Sequence, residues 1–252
     1  MNKVTLITGA TSGIGRSCAF LFAKNKHDII ITGRRTDRLD KISEELKSKF
    51  GIKVFTLSFD IRNNEAVKSA IQSLPKEWKD ISILINNAGL AVGLNTIQDG
   101  DIDDWERMID TNIKGLLYMS RAVLPLLAER NSGHVINIGS IAGKEVYPNG
   151  NVYCATKHAV DALSKAMRID MVKHGVKVTQ IAPGAIETEF SFVRFKGDQE
   201  KSDSIYKGYN PLLPDDVANV IYYTTTLPKH VNINDLVLMP TAQASATVFN
   251  KE

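Results

Sequence analysis

The sequence predicts an α/β protein: a doubly wound, parallel sheet of about seven strands in a single domain over residues 1–252. Three observations carry this expectation. Short β-branched runs alternate with longer amphipathic stretches along the chain, the pattern of repeated strand–helix units. A glycine-rich turn closes the first run and opens a helix. No repeat, low-complexity tract or linker marks a second domain.

The run KVTLITG (3–9) reads as the first strand, with a helix from about Gly13. DIIITG (28–33) leads into a helix across Asp37 to Lys49, and KVFTLSFD (53–60) into one from about Asn64. ISILINNAG (81–89) is the fourth strand. The helix after it, from about Trp105 through Leu127, is interrupted at Asn112, whose side chain competes with the helical backbone. GHVINIGS (133–140) precedes a helix from Asn151 to Lys173, and VKVTQIAPG (176–184) and DLVLMP (235–240) complete the sheet. The least regular stretch, 187–214, is rich in Phe, Lys, Gly and Asp and reads as an insertion over the sheet edge, a natural substrate lid.

Composition narrows the function classes. With 43% apolar and 23% charged residues the chain is that of an ordinary globular protein with one large core. A formal net charge of +3, scattered, makes no basic stripe, so neither nucleic acid nor a membrane surface is expected as a partner. Cys18 and Cys154 are too few for a disulfide framework and lack metal-ligand spacing; buried thiols in a reducing cytosol and no metal site are expected. The apolar run in MNKVTLITG is too short for a signal peptide, which points to the cytoplasm.

The turn TGATSGIG places Gly9, Thr11, Ser12, Gly13, Ile14 and Gly15 between a strand and a helix. Its glycines let the backbone approach a pyrophosphate, and the helix N-terminus directs N–H groups and partial positive charge at it, so a dinucleotide is the expected ligand. At the end of the second strand, where a NAD-binding fold carries Asp or Glu for the ribose hydroxyls, the chain has Gly33, Arg34 and Arg35. Two guanidiniums suit a 2′-phosphate, so NADP is the expected cofactor; a pair of solvated arginines is the alternative.

Tyr153 and Lys157 stand four apart in a stretch that reads as a helix, and so side by side. Alone, the pair also fits a lysine snorkelling past a half-buried aromatic. A cation one turn away would bring the phenol's pKa, ordinarily near 10, towards working pH. Tyr153 could then exchange a proton with a hydroxyl or carbonyl, with Ser140, just past the fifth strand, holding the reacting oxygen.

Taken together, TGATSGIG, NNAG (86–89), Asn112 in DTNIKG, Ser140 in INIGS, YCATK (153–157) and PGAIETEF (183–190) resemble the short-chain dehydrogenase/reductase family, in its order and spacing over nearly the whole chain. The resemblance implies a Rossmann fold in which Ser140, Tyr153 and Lys157 act on a CH–OH or C=O group. It further implies that Asn112 supports a proton relay from Lys157, and that Lys157 holds the nicotinamide ribose. Asp60 and Ile61 would flank the adenine, Asn87, Ala88 and Gly89 lie beneath the cofactor, and Pro183, Gly184, Ile186 and Thr188 run beside the nicotinamide. A homotetramer is implied too, built on the helices at 105–127 and 151–173.

The stretches EFSFVRFKGD and LPDDVANVIYYTTTLPKHVNINDLVLMPTAQAS are similar to the subgroup that uses NADP to oxidise short 3-hydroxy acids such as serine and allo-threonine and to reduce malonic semialdehyde. Such a substrate needs a cation for its carboxylate; Arg194 is the leading candidate and Lys144 the second. A general NADPH-dependent reductase of 3-oxo or carbonyl compounds is the alternative, and a non-catalytic NADP-binding sensor a further one.

Overall fold

The computed structural model describes residues 3–252. Seven strands, β1 (Val4–Ile7), β2 (Asp28–Gly33), β3 (Val54–Ser58), β4 (Ile81–Asn86), β5 (Gly133–Ile138), β6 (Val176–Pro183) and β7 (Asp235–Leu238), form one sheet in the order β3-β2-β1-β4-β5-β6-β7. All six pairings are parallel. The chain winds outward from β1 to β3 and returns on the other side of β1 as β4. That reversal opens a crevice beyond the C-terminal ends of β1 and β4, where sheets of this type bind ligands.

Side chains alternate between the sheet faces, and both faces of the central strands are covered, which explains why apolar residues dominate those strands at odd and even positions alike. Ile29, Ile31, Ile83, Ile85, Ile136 and Ile138 face α1 (Gly13–Lys24), α2 (Thr36–Phe50) and α9 (Pro214–Thr226), packing on Phe22, Leu39, Leu46, Val217 and Ile221. Leu6, Ile30, Leu84, Val135 and Val178 face the other way, onto α3 (Asn64–Gln72), α5 (Leu116–Glu129) and α6 (Asn151–Met171), through Ile71, Met119, Val123, Val160 and Met167. Cys18 and Cys154 are free, buried thiols. Among the described residues, no helix is long and apolar enough to cross a membrane, and no cluster of side chains is arranged to hold a metal.

Two regions differ from the sequence reading. The helix expected from Trp105 through Leu127 is α4 (Ile102–Ile109), a π-helical turn (Asp110–Gly115) and then α5. It starts earlier because the Asp101 carboxylate caps it, accepting from Asp103 N at 3.0 Å. The lid stretch is also more ordered than read, carrying α7 (Glu189–Arg194) and α8 (Gln199–Ser204). Its two ends are tied together, Glu187 N donating to Leu212 O at 2.9 Å and Leu212 N to Ala185 O at 3.0 Å. It is docked on the body by Gly93 N, which donates to Arg194 O at 3.0 Å, and by Lys196, whose ammonium meets Asp101 at 3.2 Å and Asp104 at 2.8 Å.

Candidate active site

The turn after β1 is shaped for close backbone approach. Gly9 (φ 65°) and Gly13 (φ 52°) adopt left-handed conformations that a side chain would strain. At Gly15 a Cβ would fall 2.4 Å from Asn87 Nδ2 and 2.5 Å from Gly9 O, so no other residue fits. The same Asn87 amide donates to Thr8 O at 2.9 Å and Gly9 O at 3.1 Å, while the backbone N–H groups of Asn87 and Ala88 donate to Thr8 Oγ1. The end of β4 is thereby fastened to the turn. Ser12, the N-cap of α1, makes no side-chain capping bond, which leaves the N–H groups of the first helical turn to an outside acceptor.

Arginines rim this turn. Arg35 donates through Nη2 to Thr11 Oγ1 at 2.7 Å and Ser12 Oγ at 3.1 Å. Arg34 extends into solvent, its side chain 62% exposed and 4.0 Å from Asp60. The Asp60 carboxylate is gripped by Arg62, with 2.6 Å between Nη2 and Oδ2, and chiefly for that reason stays below the usual carboxylate range. Ile61, beside it, packs against Gly115 of the π turn. A bare backbone cradle, open N–H groups and a cationic rim fit a dinucleotide whose adenosine ribose carries a phosphate.

Tyr153 lies in the first turn of α6 and is 8% exposed, packed edge-on against Phe190 of the lid with 5.6 Å between ring centroids. Lys157, one turn on and also buried, holds its ammonium 5.9 Å from the Tyr153 ring centroid and donates to Ile138 O at 2.9 Å. Burial lowers the Lys157 pKa to about 8. Ser140 Oγ accepts from Ala142 N at 3.1 Å and is hydrogen-bonded to Tyr153. The Tyr153 phenol is pushed up rather than down: burial dominates, Tyr147 adds to it, and the Ser140 hydrogen bond and Arg194 charge only partly oppose it. This corrects the expectation that Lys157 sets the phenol; its ammonium is turned to the end of β5.

Asn112 is buried rather than displayed on a helix surface. Its Oδ1 accepts from Leu90 N at 2.8 Å, and its Nδ2 donates to Leu90 O at 2.8 Å and Thr156 Oγ1 at 3.0 Å. The π turn aims this amide inward, and Gly89 separates it from Lys157: a Cβ there would stand 3.3 Å from Asn112 Oδ1 and 3.6 Å from Lys157 Nζ.

Beyond β6, Pro183 ends the strand and a Cβ on Gly184 would strike Gln243 Oε1 at 2.4 Å. Ile186 bridges to Leu212 at the lid stem, and Thr188 caps α7 while its methyl faces Gly13 across the cleft. Arg194, at the end of α7, stacks over Tyr147 at 5.3 Å and Tyr153 at 5.5 Å, and donates to Tyr147 Oη at 2.7 Å. Its Nε is buried and has no partner. Together with Tyr153, Asn95, Trp105, Met108 and Asn151 it lines a cleft. Lys144 does not belong there: its ammonium is taken by Asp161 and, at 2.6 Å, Asp235, so it has no charge to spare for a carboxylate.

Several site residues escaped the sequence reading. Phe190 and Tyr147 lie beside the Tyr153 phenol, and Asn137 joins Asn86 at 2.9 Å and Ser164 at 2.9 Å in a buried chain under the β4 and β5 ends. An Asn in the middle of the apolar run HVINI was the available signal for the latter.

The family model described as short chain dehydrogenase matches residues 3–198. The NADP-dependent 3-hydroxy acid dehydrogenase YdfG of Salmonella typhi is 48% identical over 244 residues, 96% of this chain and 97% of the relative. Sulfoacetaldehyde reductase 2 of Chromohalobacter salexigens is 47% identical over 245 residues, 97% of this chain and 96% of the relative. Among solved structures, the closed form of serine dehydrogenase complexed with NADP+ matches with a TM-score of 0.92 and 46% identity, covering 99% of both chains.

Proposed function

This chain belongs to the short-chain dehydrogenase/reductase family, and from that premise we propose that it transfers a hydride between NADP(H) and the 3-hydroxyl or 3-oxo group of short 3-hydroxy acids. The nicotinamide supplies the hydride donor or acceptor. In reduction, Tyr153 donates its phenolic proton to the oxygen that gains charge as the carbonyl is reduced, and burial suits it to be neutral beforehand. Ser140 holds that oxygen beside the phenol. In oxidation Tyr153 takes the proton instead, and the Arg194 charge favours the phenolate that results. Lys157 and Asn112 supply the return path for the proton, with Gly89 keeping the gap between them clear.

The observation that carries the substrate class is the buried, unpartnered Nε of Arg194 above the Tyr153 ring. A guanidinium there pairs with an anion one short carbon chain from the reacting oxygen. The likeness to a sulfoacetaldehyde reductase adds a second reading, in which the same guanidinium takes a sulfonate. A panel of serine, 3-hydroxypropionate, 2-hydroxyethanesulfonate and uncharged alcohols, each with NADP and NAD, tests both. Turnover of the uncharged alcohols alone would leave a general carbonyl reductase.

The remaining assignments belong to the same reading: one catalytic domain over 1–252, with 187–214 as its substrate lid, working in the cytoplasm. It assembles as a homotetramer through the outer faces of α5 and α6, where Leu117 and Ile169 are exposed apolar residues, as is Val172 just past the end of α6. Light scattering at micromolar concentration tests the last point.

A further inference from the structure

Glu189, the first residue of the lid helix α7, extends across the dinucleotide turn to α2. Its Oε2 accepts from Arg35 Nη1 at 3.0 Å and its Oε1 from Arg38 Nη1 at 2.6 Å. Arg35 is the guanidinium that also holds Thr11 and Ser12 of the glycine-rich turn. The preceding residue, Thr188, stands against Gly13 in the middle of that turn. One carboxylate on the lid therefore fastens two arginines on the opposite wall, and the path between them runs over the cradle described above.

We propose that Glu189 is a positioning residue for the cofactor: its carboxylate clasps Arg35 and Arg38 and closes the lid over the dinucleotide turn, slowing cofactor release and fixing Arg35 beside the 2′-phosphate. The inference rests on the proposed NADP reading. Each of the three side chains is roughly half-exposed, so the clasp is weak enough to open and close during turnover. Lys196 with Asp101 and Asp104 makes a second ionic contact at the far end of α7, so the helix is pinned at both ends to different parts of the body. Glu189 holds the cofactor end, and Lys196 and Arg194 the substrate end.

The test compares wild type, Glu189→Gln, Arg38→Ala and the double variant of the two. NADPH affinity is measured by fluorescence titration without substrate, and tryptic cleavage of the lid at Lys201 and Lys207 is followed without cofactor. Glu189→Gln is expected to weaken NADPH roughly three- to tenfold, the range of two exposed ion pairs. It should also speed lid cleavage; Arg38→Ala should do the same, and in the double variant the two losses should come to less than their sum. NADPH binding as tight in Glu189→Gln as in wild type, or losses that add in full in the double variant, overturns the clasp. A wild-type chain that binds no NADPH overturns the cofactor reading instead, and the tryptic comparison then decides the clasp by itself.

Discussion

The guanidinium of Arg194 lies 5.5 Å over the ring of Tyr153, joining the lid to the residue proposed to move the proton. Arg194→Ala is therefore expected to raise KM for 3-hydroxypropionate by one to two powers of ten, for a lost charge-assisted contact of about 1.5 to 3 kcal/mol. An uncharged alcohol of the same length should be almost unaffected. Steady-state kinetics on both substrates checks this, and an equal loss on both would reduce Arg194 to shaping the lid.

Tyr153→Phe removes the acid and keeps the ring that packs on Phe190. NADPH binding should be unchanged while kcat falls by about a hundredfold or more. The wild-type oxidation rate should climb with pH, because the raised phenol pKa keeps the base form scarce at neutrality. A phenylalanine variant with full turnover would remove Tyr153 from the mechanism.

Lys157 is a buried ammonium whose pKa is lowered to about 8 by burial alone. Its charge costs stability in the protein without cofactor, and Lys157→Met is expected to raise stability at pH 7 by about 1 to 3 kcal/mol while losing activity. The sign with pH follows from linkage. Between pH 8 and the ordinary lysine pKa the unfolded chain holds a proton that the folded one has released, so wild-type stability rises with pH there. The advantage of the methionine variant should be flat below pH 8 and shrink above it; denaturant midpoints measured from pH 7 to 10 decide.

Arg34→Ala should weaken NADP about tenfold or more and leave NAD nearly untouched, since only the former carries the phosphate that an exposed guanidinium could grip. Equal losses for the two cofactors would remove this arginine from the phosphate site.

Two buried histidines set the acid limit. Burial lowers the His27 pKa to about 4 and the His134 pKa to about 3. Below about pH 6.5 the unfolded chain takes up protons that these rings refuse, so their contribution is whole above that pH and lost as pH falls towards 3. Urea midpoints should drop from pH 7 to pH 5, and less in a His134→Gln variant, whose side chain carries no titrating group.

The sheet was legible because the strands are short runs rich in Ile, Val and Leu between turn residues, and in the central strands burial on both faces favours such runs. The glycine-rich turn was legible for a related reason: Gly9, Gly13 and Gly15 occupy positions where a side chain is strained or collides. Asn112 announced a disturbance but not its form, since the π turn that buries it depends on contacts with Leu90 and Thr156, 22 and 44 residues away. Arg194 ranked ahead of Lys144 only by its place in the irregular stretch. Only the third dimension shows that Asp161 and Asp235 occupy Lys144 while Arg194 has an open donor. The phenol's upward shift was also illegible, because it depends on how deeply the lid covers Tyr153.

The paired bonds at residues 185, 187 and 212 bring the two ends of the lid stretch side by side before it leaves the body. A segment whose ends already meet can change length and content at small entropic expense and without disturbing what it springs from. Length can therefore change at the tip of the segment, from Gly197 onward, while Phe190 and Arg194 keep their places against Tyr153. Exchanging residues 197–211 for the matching segment of a relative is expected to leave β6, the dinucleotide turn, Thr188 and Glu189 as they are. Insertions and deletions in proteins built this way are then absorbed at one loop tip, away from the side chains that rest on Tyr153.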